Sequence, residues 1–424
     1  MSESVKEITD KLSINIDPEL FKKLGVKRGL RNEDGTGVLA GLTNISTVIG
    51  YEREGDKIIP IDGRLEIRGC QLEDIIEKGF EYVIYLLLSG TAPSEQELTQ
   101  FRQDIRDEMI LNPKTILNII ELEGDNIMNV LARSVLELYV FDDNADSLDK
   151  ENLIRQSVSL ISKIPLIIAY AYNIYRYKKE SRTYHMRIPK KGVSLAENFL
   201  WMIKGHGYTK DEVDIFDKIL SLHCEHGGGN NSTFSVRVTS STGTDIYSSI
   251  AAGIGSLKGP KHGGANIMAK KMIDDIKKNV VWDDEESITS YIDKILNKEV
   301  GDRSGLLYGI GHAVYTLSDP RAEILKICAE KLAITKAKEK EYQFMCLLEK
   351  CAKKRVFEKK GKTVCTNVDF WSGFVYDLLG IPEVLYTPLF AMARVVGWCA
   401  HRNEELLFDG ARIIRPAYKY TFDK

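Results

Sequence analysis

The sequence predicts a mainly α-helical protein with a large and a small helical domain and a small β-hairpin region near the N-terminus. Three observations predict it. Apolar residues recur at helical spacing through most of the chain from Leu72 onward. The convincing strand signal is confined to residues 45–69, where β-branched runs alternate with turn residues. At 424 residues the chain also exceeds what one hydrophobic core usually serves.

Taken in order, residues 1–35 are charged and lead into GLRNEDGTG, which predicts a short helix or two and a turn. ISTVIGYE, KIIPID and RLEIRG follow, divided by EGD and DG turns, the pattern of a hairpin. LEDIIEKGFEYVIYLLLSG has helical spacing and stops at Gly90; Pro93-Ser94-Glu95-Gln96 then opens the next helix. Residues 115–141 and 150–179 continue helically, with Pro165 expected to kink the second or mark a boundary. KESRTYHMRIPKKG (179–192) reads as a polar loop before two more helices, the second ending in HCEH. Helices of ordinary length would fit about fifteen to twenty times, and no repeat suggests a solenoid. Residues 268–365 are lysine-rich and glycine-poor outside GDRSGLLYGIGH, and from Asn367 the chain turns apolar again. That shift predicts a large domain of 1–265 plus 376–424 and a small one of 266–375.

Composition excludes several classes. A net charge of −3 lacks the basic surplus of a general nucleic-acid binder. Seven scattered cysteines without a C-x-x-C pair fit reduced thiols of the cytosol. No apolar run approaches the roughly 18 residues of a membrane span. The start, MSESVKEITDK, has neither the apolar core of a signal peptide nor the Arg-rich face of a transit peptide. A cytoplasmic protein is expected.

The chemistry concentrates between His223 and Asn266. His226 and His262 each precede a glycine run, and GIGHAVY repeats the pattern at His312. Histidine moves its proton near neutral pH, and glycine admits close approach of ligand or backbone. His223 and His226 have the spacing of a metal pair, but a third ligand and H-E-x-x-H are missing, so no metal is expected. The glycines before His312 lack the G-K-[ST] ending of a nucleotide loop. Asp319-Pro320-Arg321 reads equally as a turn and helix start. Asp369 sits among apolar residues: burial would raise its pKa toward that of a general base, or it caps the helix that follows. Arg394, inside an apolar helix, needs an anion, either in an ion pair or as a carboxylate clamp. From Lys331 to Lys362 eleven Lys and Arg face four Glu, a solvated surface or a phosphate patch. Histidines, one apolar-flanked aspartate and arginines among glycines suit proton transfer beside a carbonyl of an anionic substrate better than hydrolysis.

With these residues in hand the chain resembles the citrate synthase family from about Gly37 to Tyr420. The likeness rests on HCEHGGGNNS, GPKHGGAN, GIGHAVY-x-x-x-DPR, NVDFWSG, FAMARVVGW and IIRP in family order. It implies an almost wholly helical homodimer whose two domains close over acetyl-CoA and oxaloacetate, with no cofactor beyond these substrates. By motif, His262 would bond the thioester oxygen, Asp369 would remove a methyl proton, and His312 would polarise the ketone. His226, Arg321 and Arg394 would hold oxaloacetate, and Arg415 would reach in from the other subunit. CoA phosphates would meet Lys261, Lys360 and Lys362. Trp371 stands where members commonly carry Tyr or His, close to the acyl group. The rival readings are a 2-methylcitrate synthase using propionyl-CoA, a non-catalytic CoA-binding helical protein and, remotely, a zinc hydrolase.

Overall fold

The computed structural model describes residues 3–12, 17–32, 36–55, 57–122, 124–410 and 412–421. Residues 33–35, in the middle of GLRNEDGTG, and Asp56 of the EGD turn lie outside them. Among the described residues there are eighteen α-helices and one antiparallel sheet of order β1-β2-β3. Its strands are β1 (Ser46–Glu54), β2 (Lys57–Ile67) and β3 (Cys70–Gln71). The expected mainly α fold is therefore observed.

Local chemistry accounts for many helix starts. Ser94 accepts the Glu97 N–H at 3.3 Å while Glu97 returns a bond to the Ser94 N–H at 2.8 Å. Thr209 and Glu212 repeat the arrangement, so two otherwise orphaned amides at each end are satisfied reciprocally. Three expectations need correction. KIIPID and RLEIRG are one strand, with Asp62-Gly63 absorbed by a register shift opposite Ile49–Tyr51. Pro165 does not interrupt Lys150–Glu180, which runs 31 residues through it. Neighbouring helices hold that helix, so the loss of one backbone bond does not break it. The same helix is long and apolar enough to cross a membrane, contrary to expectation, yet 89% of its most apolar window is buried inside the protein.

Contacts divide the chain into two units, Met1–Gly41 with Ile414–Lys424, and Leu42–Ile413. The second holds the core. At its centre the Tyr386–Leu407 helix packs against Lys150–Glu180, Asn231–Ser240 and Lys210–His223. Trp398 is fully buried on it, as are two arginines, Arg394 and Arg402. The helix can approach so closely because residue 397 is glycine. A Cβ there would stand 2.1 Å from Glu225 Oε2 and 2.5 Å from the Cys224 carbonyl oxygen. Gly397→Ala is expected to cost about 1–3 kcal/mol of stability, as overpacking does. An unchanged melting temperature would show that the two elements separate freely.

Candidate active site

The Lys210–His223 helix ends at the first histidine–glycine junction. His223 closes the helix from inside, its Nδ1–H donating to the Ile219 carbonyl at 2.9 Å. Burial holds its pKa down to about 3, so the ring is neutral. Gly227 then turns the chain at φ 84°, a conformation that suits glycine. His226, before the turn, meets the His312 ring edge-on, with centroids 5.0 Å apart. Its Nε2 is buried without a hydrogen-bond partner. Burial, then the charges of Arg321 and Arg394, hold its pKa well below the usual range.

His312 is carried by a loop pinned to the chain before Asp369. The Gly311 N–H donates to Cys365 O at 2.7 Å, and the Asn367 N–H to Gly309 O at 2.9 Å. Asn367 Nδ2 adds a bond to Gly311 O at 2.8 Å. Gly309 serves this approach: a Cβ on it would lie 2.8 Å from Phe370 Cα. The glycines here bring backbone to backbone. His312 Nδ1 accepts the N–H groups of Val314 and Tyr315, at 3.1 and 3.0 Å. A nitrogen that accepts two amides carries no proton, so the neutral ring holds its proton on Nε2.

Asp369 lies in the first turn of Val368–Leu378, whose cap is Asn367, accepting the Asp369 N–H at 2.9 Å. The capping alternative thus falls to Asn367. Burial pushes the Asp369 carboxyl up to about 6 against the pull of Arg321, with Asp319 adding to the rise. Asp319 caps the Pro320–Thr335 helix through the Arg321 N–H and also grips the Arg321 side chain, at 3.0 Å to Nε and 2.8 Å to Nη2. Helix start and charged site are one structure here.

Arg394 is fully buried, and its Nε donates to His223 O at 2.7 Å. Its Nη1 and Nη2 have no partner. Burial lowers its pKa to about 10, offset in part by Glu225, so it remains a cation at neutral pH. Among the described residues no carboxylate pairs with it directly, although Glu225 acts on it electrostatically.

His262 lies in the turn between Ile246–Leu257 and Ala265–Asn279. Burial lowers its pKa to about 4. Its Nε2 meets Ser232 Oγ at 2.9 Å, and that oxygen accepts from Trp398 Nε1 at 3.2 Å and donates to Asn230 Oδ1 at 3.0 Å. With that proton on Asn230, the neutral ring donates its Nε2–H to Ser232; only a turn of the Ser232 hydroxyl toward Nε2 moves the ring proton to Nδ1. Ser232→Ala removes that control and is expected to lower kcat about tenfold, ~1.4 kcal/mol, at unchanged KM. Steady-state kinetics check it, and an unaltered kcat would remove Ser232 from the site.

Sequence reasoning does not single out Ser232, Glu225 or His401. Glu225 is wholly buried, accepting from Ser46 Oγ at 2.8 Å, the Gly227 N–H at 2.6 Å and His401 Nε2 at 3.0 Å. Burial raises its pKa, but His401, Arg394 and Ser46 outweigh that and hold it at about 2. Standing between two flagged histidines was its one sequence signal; its partners come from residues 46 and 401.

Lys261, Lys360 and Lys362 are exposed, and Arg415 is exposed in the terminal unit. Much of the basic run is matched by acids: Lys336 pairs with Glu212, Lys350 with Glu285, Lys353 with Glu349, and Arg355 with Asp293. Its surplus is therefore far smaller than the sequence count. Trp371 is fully buried against Tyr342 and Phe374, with the Lys326 ammonium 5.5 Å from its ring. Two residues along a helix turn the side chain about 200° from Asp369. Among the described residues no cluster of three His, Cys, Asp or Glu could hold a metal.

Comparison with known proteins places this site in a family. The family model described as citrate synthase, C-terminal domain, matches residues 32–417. Citrate synthase 2 of Bacillus subtilis is 34% identical over 388 residues, covering 91% of this chain and 94% of that protein. Citrate synthase of Synechocystis is 36% identical over 367 residues, covering 85% and 86%. The structure of Thermoplasma acidophilum citrate synthase with carboxymethyl coenzyme A and oxaloacetate superposes with a TM-score of 0.79 at 30% identity, covering 94% and 97%. The chain is an acyl-transferring enzyme and belongs to the citrate synthase family.

Proposed function

We propose that the enzyme condenses acetyl-CoA with oxaloacetate and hydrolyses the citryl thioester to citrate and CoA. One observation carries the reading at the level of residues. Two Arg394 nitrogens and His226 Nε2 are buried without partners beside the His226–His312 contact. Buried polar groups are seldom left so, and a dicarboxylate ketone would satisfy them together.

Asp369 would take a methyl proton from the thioester. Alone it is too weak a base, so His262, its proton moved to Nδ1 by a turn of the Ser232 hydroxyl, would donate to the developing enolate oxygen and share the work. The enol carbon attacks the ketone of oxaloacetate, whose oxygen His312 Nε2–H polarises and then protonates. Neutral imidazoles suit both tasks, because each must give a proton without first repelling the arginines. Arg394 and His226 would hold oxaloacetate carboxylates with Arg321, through the hydrogens that Asp319 leaves. Arg415 would complete the grip from the partner subunit of a homodimer, and closure of a large and a small domain would exclude water until condensation is done. Lys261, Lys360 and Lys362 would meet CoA phosphates, and the enzyme would work in the cytoplasm.

Release of free CoA thiol with oxaloacetate tests the reading, comparing acetyl-CoA with propionyl-CoA. A kcat/KM favouring acetyl-CoA by tenfold or more, about 1.4 kcal/mol, is expected. Equal or reversed preference would overturn the choice of acyl group, and no release from folded enzyme would overturn the activity. For the dimer, mixing Arg415→Ala with Asp369→Ala subunits is expected to restore activity in mixed dimers; none restored would place Arg415 outside the partner's site.

A further inference from the structure

The β1–β2 hairpin carries no residue of the chemistry, yet it touches both histidine loops. On one side Ser46 donates to Glu225 Oε1 at 2.8 Å, beside the His226–Gly227 turn. Val48 Cγ2 would lie 3.3 Å from a Cβ at Gly227. On the other side the hairpin lies on the backbone that follows His312. A Cβ at Gly50 would be 2.6 Å from the Val314 carbonyl oxygen, and one at Gly63 would be 2.2 Å from that of Ser318. The Gly63 N–H donates to Ser318 Oγ at 3.0 Å, and Ser318 Oγ donates to Asp62 Oδ1 at 3.0 Å. Tyr315 is 2% exposed, stacks on the His312 ring at 4.6 Å and donates its hydroxyl to Arg64 O at 3.2 Å. The register shift in β2 falls where these contacts are made. A regular hairpin would lack the extra residues that reach Ser318.

We propose that the hairpin is a positioning element for the condensation, setting the approach of His226 to His312 through Tyr315, Ser318 and Gly63. The physical argument is one of leverage. The amides of Val314 and Tyr315 fix the His312 tautomer, and the hairpin fixes those amides. A loop pinned only at its Cys365 and Asn367 side could rotate, and misplacement by about 1 Å can cost about 10²-fold in rate. Gly50 and Gly63 are required because backbone must pack on backbone with no side chain between. This rests on the roles proposed above for His226 and His312.

The test uses the full-length enzyme and three variants, Tyr315→Phe, Ser318→Ala and Gly63→Ala. Wild-type thiol release is measured first, since its absence would defeat the activity itself and not the hairpin's role. With active wild type, Tyr315→Phe and Ser318→Ala are expected to lower kcat about five- to tenfold, with acetyl-CoA KM within about twofold. Gly63→Ala should lower kcat further if it folds, and the other two decide the matter if it does not. Selective 15N labelling of histidine gives a second readout, in which the His312 Nδ1 signal loses its unprotonated character in the variants. If Tyr315→Phe and Ser318→Ala keep wild-type kcat and His312 signals while only the melting temperature falls, the hairpin is merely structural and the proposal is overturned.

Discussion

Asp369→Asn is expected to lower kcat by about 10²–10⁴-fold, the range in which positioned acid–base groups act, while leaving the fold intact. The amide keeps the shape of the side chain and cannot take the proton. In the wild type kcat/KM should fall tenfold per pH unit below about 6, because the base works ionised and burial has raised its pKa to about 6. The same shift has a stability consequence of opposite sign. The folded carboxyl binds its proton more tightly than the unfolded one, whose ordinary value is 3.8. Between those values the native state holds more protons, so stability falls as pH rises through the window, by ~1.4 kcal/mol per unit. Asp369→Asn should therefore melt higher than wild type at pH 7 and lower its excess as the pH drops to 4. A full-rate Asp369→Asn enzyme would end its assignment as the base.

Arg394→Met is the second large effect, and it too divides function from stability. The wild-type guanidinium is buried with two nitrogens unpaired, and burial disfavours its charge enough to lower its pKa to about 10. Removing an unpaired buried charge relieves a desolvation cost on the order of several kcal/mol, against the lost bond to His223 O. The free enzyme should gain stability. Oxaloacetate should lose a bidentate, desolvated partner, which costs about 2–5 kcal/mol, or some 30-fold or more in affinity. Calorimetric titration of oxaloacetate, together with thermal melts, reads both signs. Unchanged affinity would show that the carboxylate lies elsewhere, and a strongly destabilised protein would show that Arg394 serves the core. Asp369 and Arg394 share a design in which a buried group is held in a costly state that substrate or proton transfer relieves.

Features set by near neighbours are legible along the chain. Helical spacing, the helix opened at Ser94-Glu95 and the Asp319-Pro320 helix start are read correctly because their partners lie within four residues. The ordered motifs identify the family for a related reason, since each packs its residue types into a short span. Tertiary structure decided what depends on distant ones. Pro165 stays inside a helix because packing outweighs one lost backbone bond, and Asp62-Gly63 joins a strand because residue 318 meets it. The lysine run loses most of its surplus to acids such as Glu212, Glu285 and Asp293. The tautomer of His312 follows from two amides, and the charge of Glu225 from His401 and Ser46. Protonation and ion pairing are set by Coulomb interaction and desolvation over a few ångströms of space, whatever the separation along the chain.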